Sequence, residues 1–172
     1  MREKKEDNMK RRRILQNVFR GILVSISVCS LVFLTGTPSP AGPKVVKIGN
    51  IIPLSGPSAS VGQQGKYARE MAVEEINAAG GIKSLGGAKL EMLYADSESK
   101  PEKGVAEAER LINTEGVNVL TGCWNSAVTY PTTAVAERYG IPFVVPVSVA
   151  DKITEQGFKT VFRLAAKDSW WT

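Results

Sequence analysis

Apolar strand patterns and amphipathic helix patterns alternate along residues 45–165, and this alternation constrains the fold more than any other feature. The predicted strands are 45–54, 89–96, 117–123, 142–148 and 160–165, and the predicted helices between them are 62–79, 101–115 and 126–139. Strands that alternate with helices at this spacing form right-handed crossovers between parallel strands. The sequence therefore predicts an α/β fold, with a parallel sheet and helices on both faces.

The first predicted unit also indicates where a ligand would bind. Its apolar strand stops at Ser55-Gly56-Pro57, crosses a loop and enters a helix that ends at Gly80-Gly81. A strand, loop and helix in this order place backbone N–H groups and small hydroxyls at the carboxyl edge of a sheet, where α/β proteins bind small ligands. We therefore expect ligand capture at this edge.

The helix of this first unit has an apolar stripe at spacings of three and four residues. The apolar members are Ala68, Met71, Ala72, Ile76 and Ala79, and the polar residues between them are Lys66, Arg69, Glu70, Glu74 and Asn77. An apolar stripe of this kind normally faces a sheet. We therefore expect the first set to be buried on the sheet and the second set to face away from it.

Charge is distributed unevenly along the chain. The chain has 22 Lys and Arg residues against 17 Asp and Glu residues, a net charge of +5. Residues 1–43 contain eight basic and three acidic residues, which accounts for the whole excess, and residues 44–172 contain 14 of each. A nucleic-acid-binding domain needs its basic residues on the folded surface. The neutral body therefore argues against a nucleic-acid partner.

Residues 1–43 have the layout of an export leader. Lys10-Arg11-Arg12-Arg13 precedes an uncharged, largely apolar run at 21–34 and a stretch rich in Pro, Gly and Ser that ends at Pro43. A signal peptide cleaved after Ala41 and an uncleaved anchor formed by residues 14–34 are both consistent with this layout. We therefore expect residues 44–172 to be an exported domain, in the periplasm or at the cell surface.

The residues that most enzyme chemistry needs are missing or misplaced. The chain has no His, so His-based triads and His-ligated metal sites are excluded. Gly56, Gly62 and Gly65 do not form a dinucleotide-binding motif, and residues 60–67 do not form a phosphate-binding loop. Cys123 is expected to be a small buried hydrophobe. The sequence therefore predicts neither an enzyme nor a cofactor nor a metal site.

Five segments carry a resemblance to a known family. They are KIGNIIPLSGP (47–57), AVEEINAAGGI (72–82), GCWNS (122–126), GIPFVVP (140–146) and VFRL (161–164). Together they resemble the first lobe of type I periplasmic binding proteins, most closely the branched-chain amino acid and amide-binding group that serves ABC importers. This resemblance covers residues 45–172 and implies a Rossmann-like lobe that closes with a second lobe around a ligand and delivers it to a membrane permease.

The same resemblance implies that the lobe is incomplete in this chain. In the family, later segments complete the first lobe, and a second lobe closes the site. The chain is therefore expected to be a fragment or a truncated reading frame, with marginal stability and weak or absent ligand binding alone.

The family pattern also assigns candidate ligand-binding residues. Ser126 matches the Ser whose hydroxyl and N–H hold a ligand carboxylate, and its alternative role is a plain helix N-cap. Asn125 would bind the ligand by hydrogen bonding. Trp124 would bind it by apolar contact or would cover the sheet edge. Val147 and Ser148 lie in the next ligand loop, where Ser148 would bind the ligand or cap a short helix.

Several departures from the family pattern concern the ligand. Val149 stands where amino-acid binders commonly have a Thr, and Val61 stands where an aromatic residue often flanks the ligand. The family's disulfide positions fall on Ser99 and Asn125, so that bridge is absent. These departures count against leucine itself and leave branched-chain amino acids, amides and similar small carboxylates as candidates. Two roles also stay open: the binding component of an importer, or a membrane-tethered sensor ectodomain with the same lobe.

Overall fold

The computed structural model describes residues 45–171 and shows five strands and three longer helices. The strands are β1 (Val45–Ile52), β2 (Lys89–Asp96), β3 (Val119–Gly122), β4 (Phe143–Val145) and β5 (Val161–Arg163), and the helices are α1 (Ala59–Ala78), α2 (Pro101–Asn113) and α3 (Ser126–Tyr139). Short 3₁₀ helices span Lys83–Leu85, Asp151–Thr154 and Asp168–Trp170. The predicted leader, 1–43, lies outside the described residues.

All five strands are parallel and form one sheet in the order β2-β1-β3-β4-β5. The chain moves from β1 to one neighbour and then returns past β1 to the other. Because parallel crossovers are right-handed, this reversal places α1 on one face of the sheet and α2 and α3 on the other. The predicted α/β fold with a parallel sheet and helices on both faces is confirmed.

The main core lies between the sheet and the two helices α2 and α3. Its fully buried members include Ile51, Leu120 and Phe143 from the strands, with Leu111 and Val128 from the helices. The two helices approach closely at Gly104, where a Cβ atom would lie 2.4 Å from a methyl carbon of Val128. Helices on both faces of the sheet explain the nearly continuous apolar runs in the sequence, because a strand that is covered on both faces has apolar residues at successive positions.

Helix α1 presents the opposite face to the one that the apolar stripe predicted, so that expectation is wrong. Met71 is 70% exposed and Ile76 is 40% exposed, and Ala68, Ala72 and Ala79 are exposed as well. The more buried side of the helix consists of Gly62, Lys66, Arg69, Val73 and Asn77. Three of the residues expected to face away therefore lie on the more buried side.

Specific tertiary contacts explain this orientation of α1. The side-chain amide of Asn77 donates to the Leu90 carbonyl oxygen at 2.8 Å and accepts from the Leu90 N–H at 2.8 Å. The Lys66 ammonium lies 5.2 Å from the centre of the Tyr94 ring. Gly62 touches Pro53 so closely that no side chain fits between them. These contacts outweigh the general preference for burying the apolar stripe.

No helix within residues 45–171 has both the length and the apolar character needed to cross a membrane.

Candidate functional site

The loops that follow β1, β3 and β4 meet at the carboxyl edge of the sheet, as the parallel arrangement requires. The first two loops are in contact, because the side-chain amide of Asn125 lies 3.5 Å from the Ser58 hydroxyl oxygen. The other amide atom of Asn125, its Oδ1, is buried and has no hydrogen-bond partner within the described part of the chain. Asn125 therefore joins two loops at this edge.

Ser126 is the first residue of α3, and Asn125 occupies the N-cap position. The alternative prediction that Ser126 is the N-cap is therefore wrong, because the N-cap lies one residue earlier, at Asn125. The Ser126 hydroxyl accepts a hydrogen bond from the Ala150 N–H at 3.3 Å, so its own proton remains available. Among residues 45–171, the N–H groups of Ser126 and Ala127 have no acceptor. They lie at the positive end of the α3 dipole, where an anion is stabilised.

Trp124 and Val147 line a pocket of about 350 Å³. Ser126 and Ala127 line a second cavity, of about 360 Å³, together with Tyr130, Ala150 and Lys152. The Trp124 side chain remains 42% exposed. The remaining residues that line the Trp124 pocket come from the end of β1, the first half of α1 and the loops after β3 and β4: Ile52, Pro53, Val61, Gly62, Gln64, Gly65, Ala68, Arg69, Gly122 and Pro146. The lining is mostly apolar, so the pocket suits the apolar body of a small ligand.

Ser148 does not reach the surface of this edge. It is only 2% exposed, and its hydroxyl oxygen lies 2.5 Å from both the Cys123 carbonyl oxygen and the Thr129 hydroxyl oxygen. Its hydroxyl is thus used inside the protein, and the expectation that it binds a ligand has no support from this geometry. The alternative role as a cap also fails, because no side chain caps the following 3₁₀ helix.

A second pair of hydrogen bonds fixes the loop after β4. The Arg163 guanidinium donates to the Ser148 carbonyl oxygen at 2.7 Å and to the Ala150 carbonyl oxygen at 2.6 Å. Arg163 was not among the predicted ligand-binding residues. Its position at the end of a strand next to the predicted ligand loop was the signal that could have identified it.

The loop after β1 is held by the Asp96 carboxylate. It accepts hydrogen bonds from the Leu54 N–H at 2.8 Å, the Ser55 hydroxyl at 2.5 Å and the Glu98 N–H at 2.8 Å. Burial alone would raise the pKa of Asp96, but the hydrogen bonds from the Ser55 hydroxyl and the backbone N–H groups outweigh it and lower the pKa. From the sequence, Asp96, Glu98 and Lys100 are expected to form a solvated polar loop, so the role of Asp96 in holding the loop after β1 was missed.

Cys123 directly precedes Trp124, and its side chain is fully buried. Burial raises the pKa of its thiol to about 12. A thiol in this state is inert, because the reactive form is the thiolate. Within residues 45–171, no cluster of three or more Cys, Asp or Glu side chains could hold a metal ion.

The sequence of this chain matches a protein-family model and several curated proteins. Residues 45–172 match the family model described as periplasmic binding protein. The chain is 36% identical over 123 residues to Leu/Ile/Val-binding protein homolog 3 of Brucella melitensis, covering 72% of this chain and 32% of that protein. The chain thus spans about a third of the length of the curated relatives it matches.

Solved structures of ABC-transporter substrate-binding proteins match the fold of this chain. The branched-chain amino acid transporter substrate binding protein LivJ of Streptococcus pneumoniae, in complex with isoleucine, matches with a TM-score of 0.67 and 30% identity, over 73% of this chain and 35% of that chain. A solute binding protein of an ABC transporter from R. palustris, in complex with 4-hydroxybenzoate, matches with a TM-score of 0.61 and 26% identity, over 72% of this chain and 32% of that chain.

Proposed function

The chain belongs to the periplasmic binding protein family, and from this premise we propose that its carboxyl edge captures a small carboxylate for an ABC importer. The ligand is a branched-chain amino acid, an amide or a similar small carboxylate. The observation that carries the proposal is that the N–H groups of Ser126 and Ala127 have no acceptor within residues 45–171, directly after Trp124 and Asn125 in the loop that follows β3. The LivJ structure with bound isoleucine and the R. palustris structure with bound 4-hydroxybenzoate support this ligand class.

Each candidate residue has a distinct part in this proposal. The Ser126 N–H and hydroxyl, together with the Ala127 N–H, bind the ligand carboxylate. Trp124 and Val147 contact its apolar body. Asn125 holds the loop after β3 against the loop after β1, so it orients the anchor. Because the match covers only about a third of each relative, the remaining contacts would come from a second lobe.

The cellular setting is part of the same proposal. The domain acts outside the cytoplasm, in the periplasm or at the cell surface, and hands its ligand to a membrane permease. The family to which residues 45–172 belong supports this placement.

The test is an amide-resolved NMR titration of the 172-residue chain with leucine, isoleucine, 4-hydroxybenzoate and acetamide, up to tens of millimolar. This method detects the weak binding expected of one lobe and shows which N–H groups respond. We expect at least one carboxylate ligand to shift the Ser126 and Ala127 resonances, because these N–H groups would become hydrogen-bonded to it.

Two substitutions at one position separate the hydroxyl from the N–H. Ser126→Ala removes only the hydroxyl and should weaken binding at least about tenfold, the loss of one hydrogen bond to a charged group. Ser126→Pro also removes the N–H and should weaken binding further, while the first turn of a helix tolerates proline. Ser84→Ala, on an exposed residue of a 3₁₀ helix, is the matched control. Unchanged affinity in both Ser126 variants, or no shift at Ser126 and Ala127 with any ligand, would contradict the proposal.

A further inference from the structure

Arg69 lines the candidate ligand pocket and has no counter-ion within residues 45–171. It lies half-buried on α1, and its Nη1 atom donates a hydrogen bond to the Gly65 carbonyl oxygen at 2.7 Å. None of the ion pairs formed among residues 45–171 includes Arg69. One hydrogen bond to a neutral carbonyl leaves most donors of the guanidinium unused.

The neighbouring cation on α1, Lys66, differs from Arg69 because it has an anionic partner. The Lys66 ammonium lies 3.7 Å from the Glu70 carboxylate and 5.2 Å from the centre of the Tyr94 ring. Lys66 therefore has both an anion and an aromatic face as partners. Arg69, one helical turn further on, lines the same pocket as Trp124 and Val147.

The local sequence makes room for the guanidinium at this place. Gly65 lies four residues before Arg69 and also lines the pocket. A Cβ atom on residue 65 would lie 2.6 Å from the Arg69 Nη1 atom, so a larger residue there would displace the side chain. Glycine lowers the stability of a helix interior by up to about 1 kcal/mol relative to alanine. The glycine at this position thus keeps space for a charge inside the pocket.

Placing an arginine in a mostly apolar pocket is unfavourable unless an anion meets it. Burial lowers the pKa of Arg69, which reflects this loss of solvation, although a nearby tyrosine opposes the effect. A buried charge without a partner is costly, and a guanidinium pairs best with a planar carboxylate through two parallel hydrogen bonds. A ligand with an apolar distal end, such as the side chain of leucine, would remove more water from Arg69 without offering the guanidinium a hydrogen-bond acceptor.

We propose that Arg69 is a specificity-determining residue that selects small diacids. One carboxylate of such a ligand binds at Ser126 and Ala127, its apolar or aromatic body lies along Trp124 and Val147, and its second carboxylate pairs with Arg69. This inference rests on the proposed function, because it assumes that the ligand occupies the carboxyl-edge pocket. It goes beyond that function by naming the chemistry of the distal end of the ligand.

The test compares ligands that differ only at the distal end. Leucine is compared with glutamate, and benzoate with terephthalate, by NMR titration of the 172-residue chain and its variants. We expect the diacid of each pair to bind at least about tenfold more tightly, the effect of one charge-assisted hydrogen bond. Arg69→Gln should remove this preference by weakening the binding of the diacid in each pair. Arg69→Lys should keep part of it, because a lysine retains the charge and loses the planar fork.

The controls separate this proposal from the function on which it rests. Arg138→Gln removes an exposed arginine that is paired with Glu109, so it changes net charge equally and should leave the preference intact. Equal binding within each ligand pair, or a preference that persists in Arg69→Gln, overturns the role of Arg69 while benzoate binding through Ser126 still stands. A diacid preference that Arg69→Gln removes, in a protein where neither Ser126→Ala nor Ser126→Pro weakens the binding of either member of a pair, overturns the Ser126 anchor instead. No ligand-dependent shift in any sample overturns both.

Discussion

Gly62 and Gly65 lie in the same helix, and replacing each with alanine should change stability in opposite directions. A Cβ atom on residue 62 would lie 1.7 Å from the Pro53 carbonyl oxygen and 2.6 Å from its carbonyl carbon. These are backbone atoms, so the first half of α1 would have to move by roughly 1.5 Å to reach an ordinary contact. Overpacking of this severity costs about 3 kcal/mol, and alanine returns about 1 kcal/mol of helix propensity. Gly62→Ala should therefore destabilise the protein by about 2 kcal/mol.

The Gly65→Ala variant is the matched control, because its Cβ would meet only the flexible end of Arg69 within 3 Å. The guanidinium can move away, so the propensity gain remains and the variant should be up to about 1 kcal/mol more stable than the parent. The assay is urea unfolding of the 172-residue chain followed by far-ultraviolet circular dichroism, with the slope m compared between variants. A Gly62→Ala variant as stable as Gly65→Ala would refute the close approach of α1 to the loop after β1.

Three further predictions concern polar and sulfur groups around the site. Asp96→Asn should lower the free energy of unfolding by about 1–2 kcal/mol at pH 7. Because the folded-state pKa of Asp96 is lowered, the difference in stability from the parent should shrink as the pH falls below about 4. A difference that stays constant between pH 7 and pH 3 in urea unfolding would contradict this. In a Cys29→Ser background, Cys123 should react with a thiol reagent at pH 8 only on unfolding, and rapid labelling of the native chain would show that the thiol is not buried. Ser148→Ala should cost about 1–2 kcal/mol of stability and leave the preference among ligands unchanged, and altered preference in the NMR titration would return Ser148 to the ligand site.

Local signals in the sequence were enough to predict the type and order of every strand and longer helix. The bounds of β2 and α3 agree with the prediction, because Asp96 ends an apolar run and Gly140 ends the helix with a left-handed backbone conformation. Strands β3 to β5 are shorter than predicted. An apolar run shows which residues are buried, whereas the end of a strand depends on where its neighbour stops pairing.

The orientation of α1 and the details of the site could not be predicted in the same way. Periodicity shows that a helix has two faces, but the choice between them was made by Asn77 with the Leu90 backbone and by Gly62 with Pro53. Ser148 was predicted as a ligand contact because the family pattern places it in a ligand loop. Its burial depends on Thr129, a residue 19 positions earlier whose proximity no local pattern reveals.

The hydrogen bonds around the carboxyl edge explain why it should attract anions. The carbonyl oxygens of Cys123 and Asn125 accept from the Thr129 hydroxyl at 2.8 and 3.0 Å, and those of Ser148 and Ala150 accept from Arg163. These acceptors are already used by the protein's own side chains.

The donors at the same edge are not used in this way, because the N–H groups of Ser126 and Ala127 have no acceptor within residues 45–171. Apart from the buried Asn125 Oδ1, the acceptors named at this edge are occupied, and an edge of this kind whose donors have no partner favours a ligand that brings oxygen atoms. A primary amine lacking a carboxylate, such as isoamylamine, should therefore leave the Ser126 and Ala127 resonances unmoved at concentrations where a carboxylate of equal size shifts them. Equal shifts from both compounds would mean that apolar contact with Trp124, and not the free N–H groups, determines what binds.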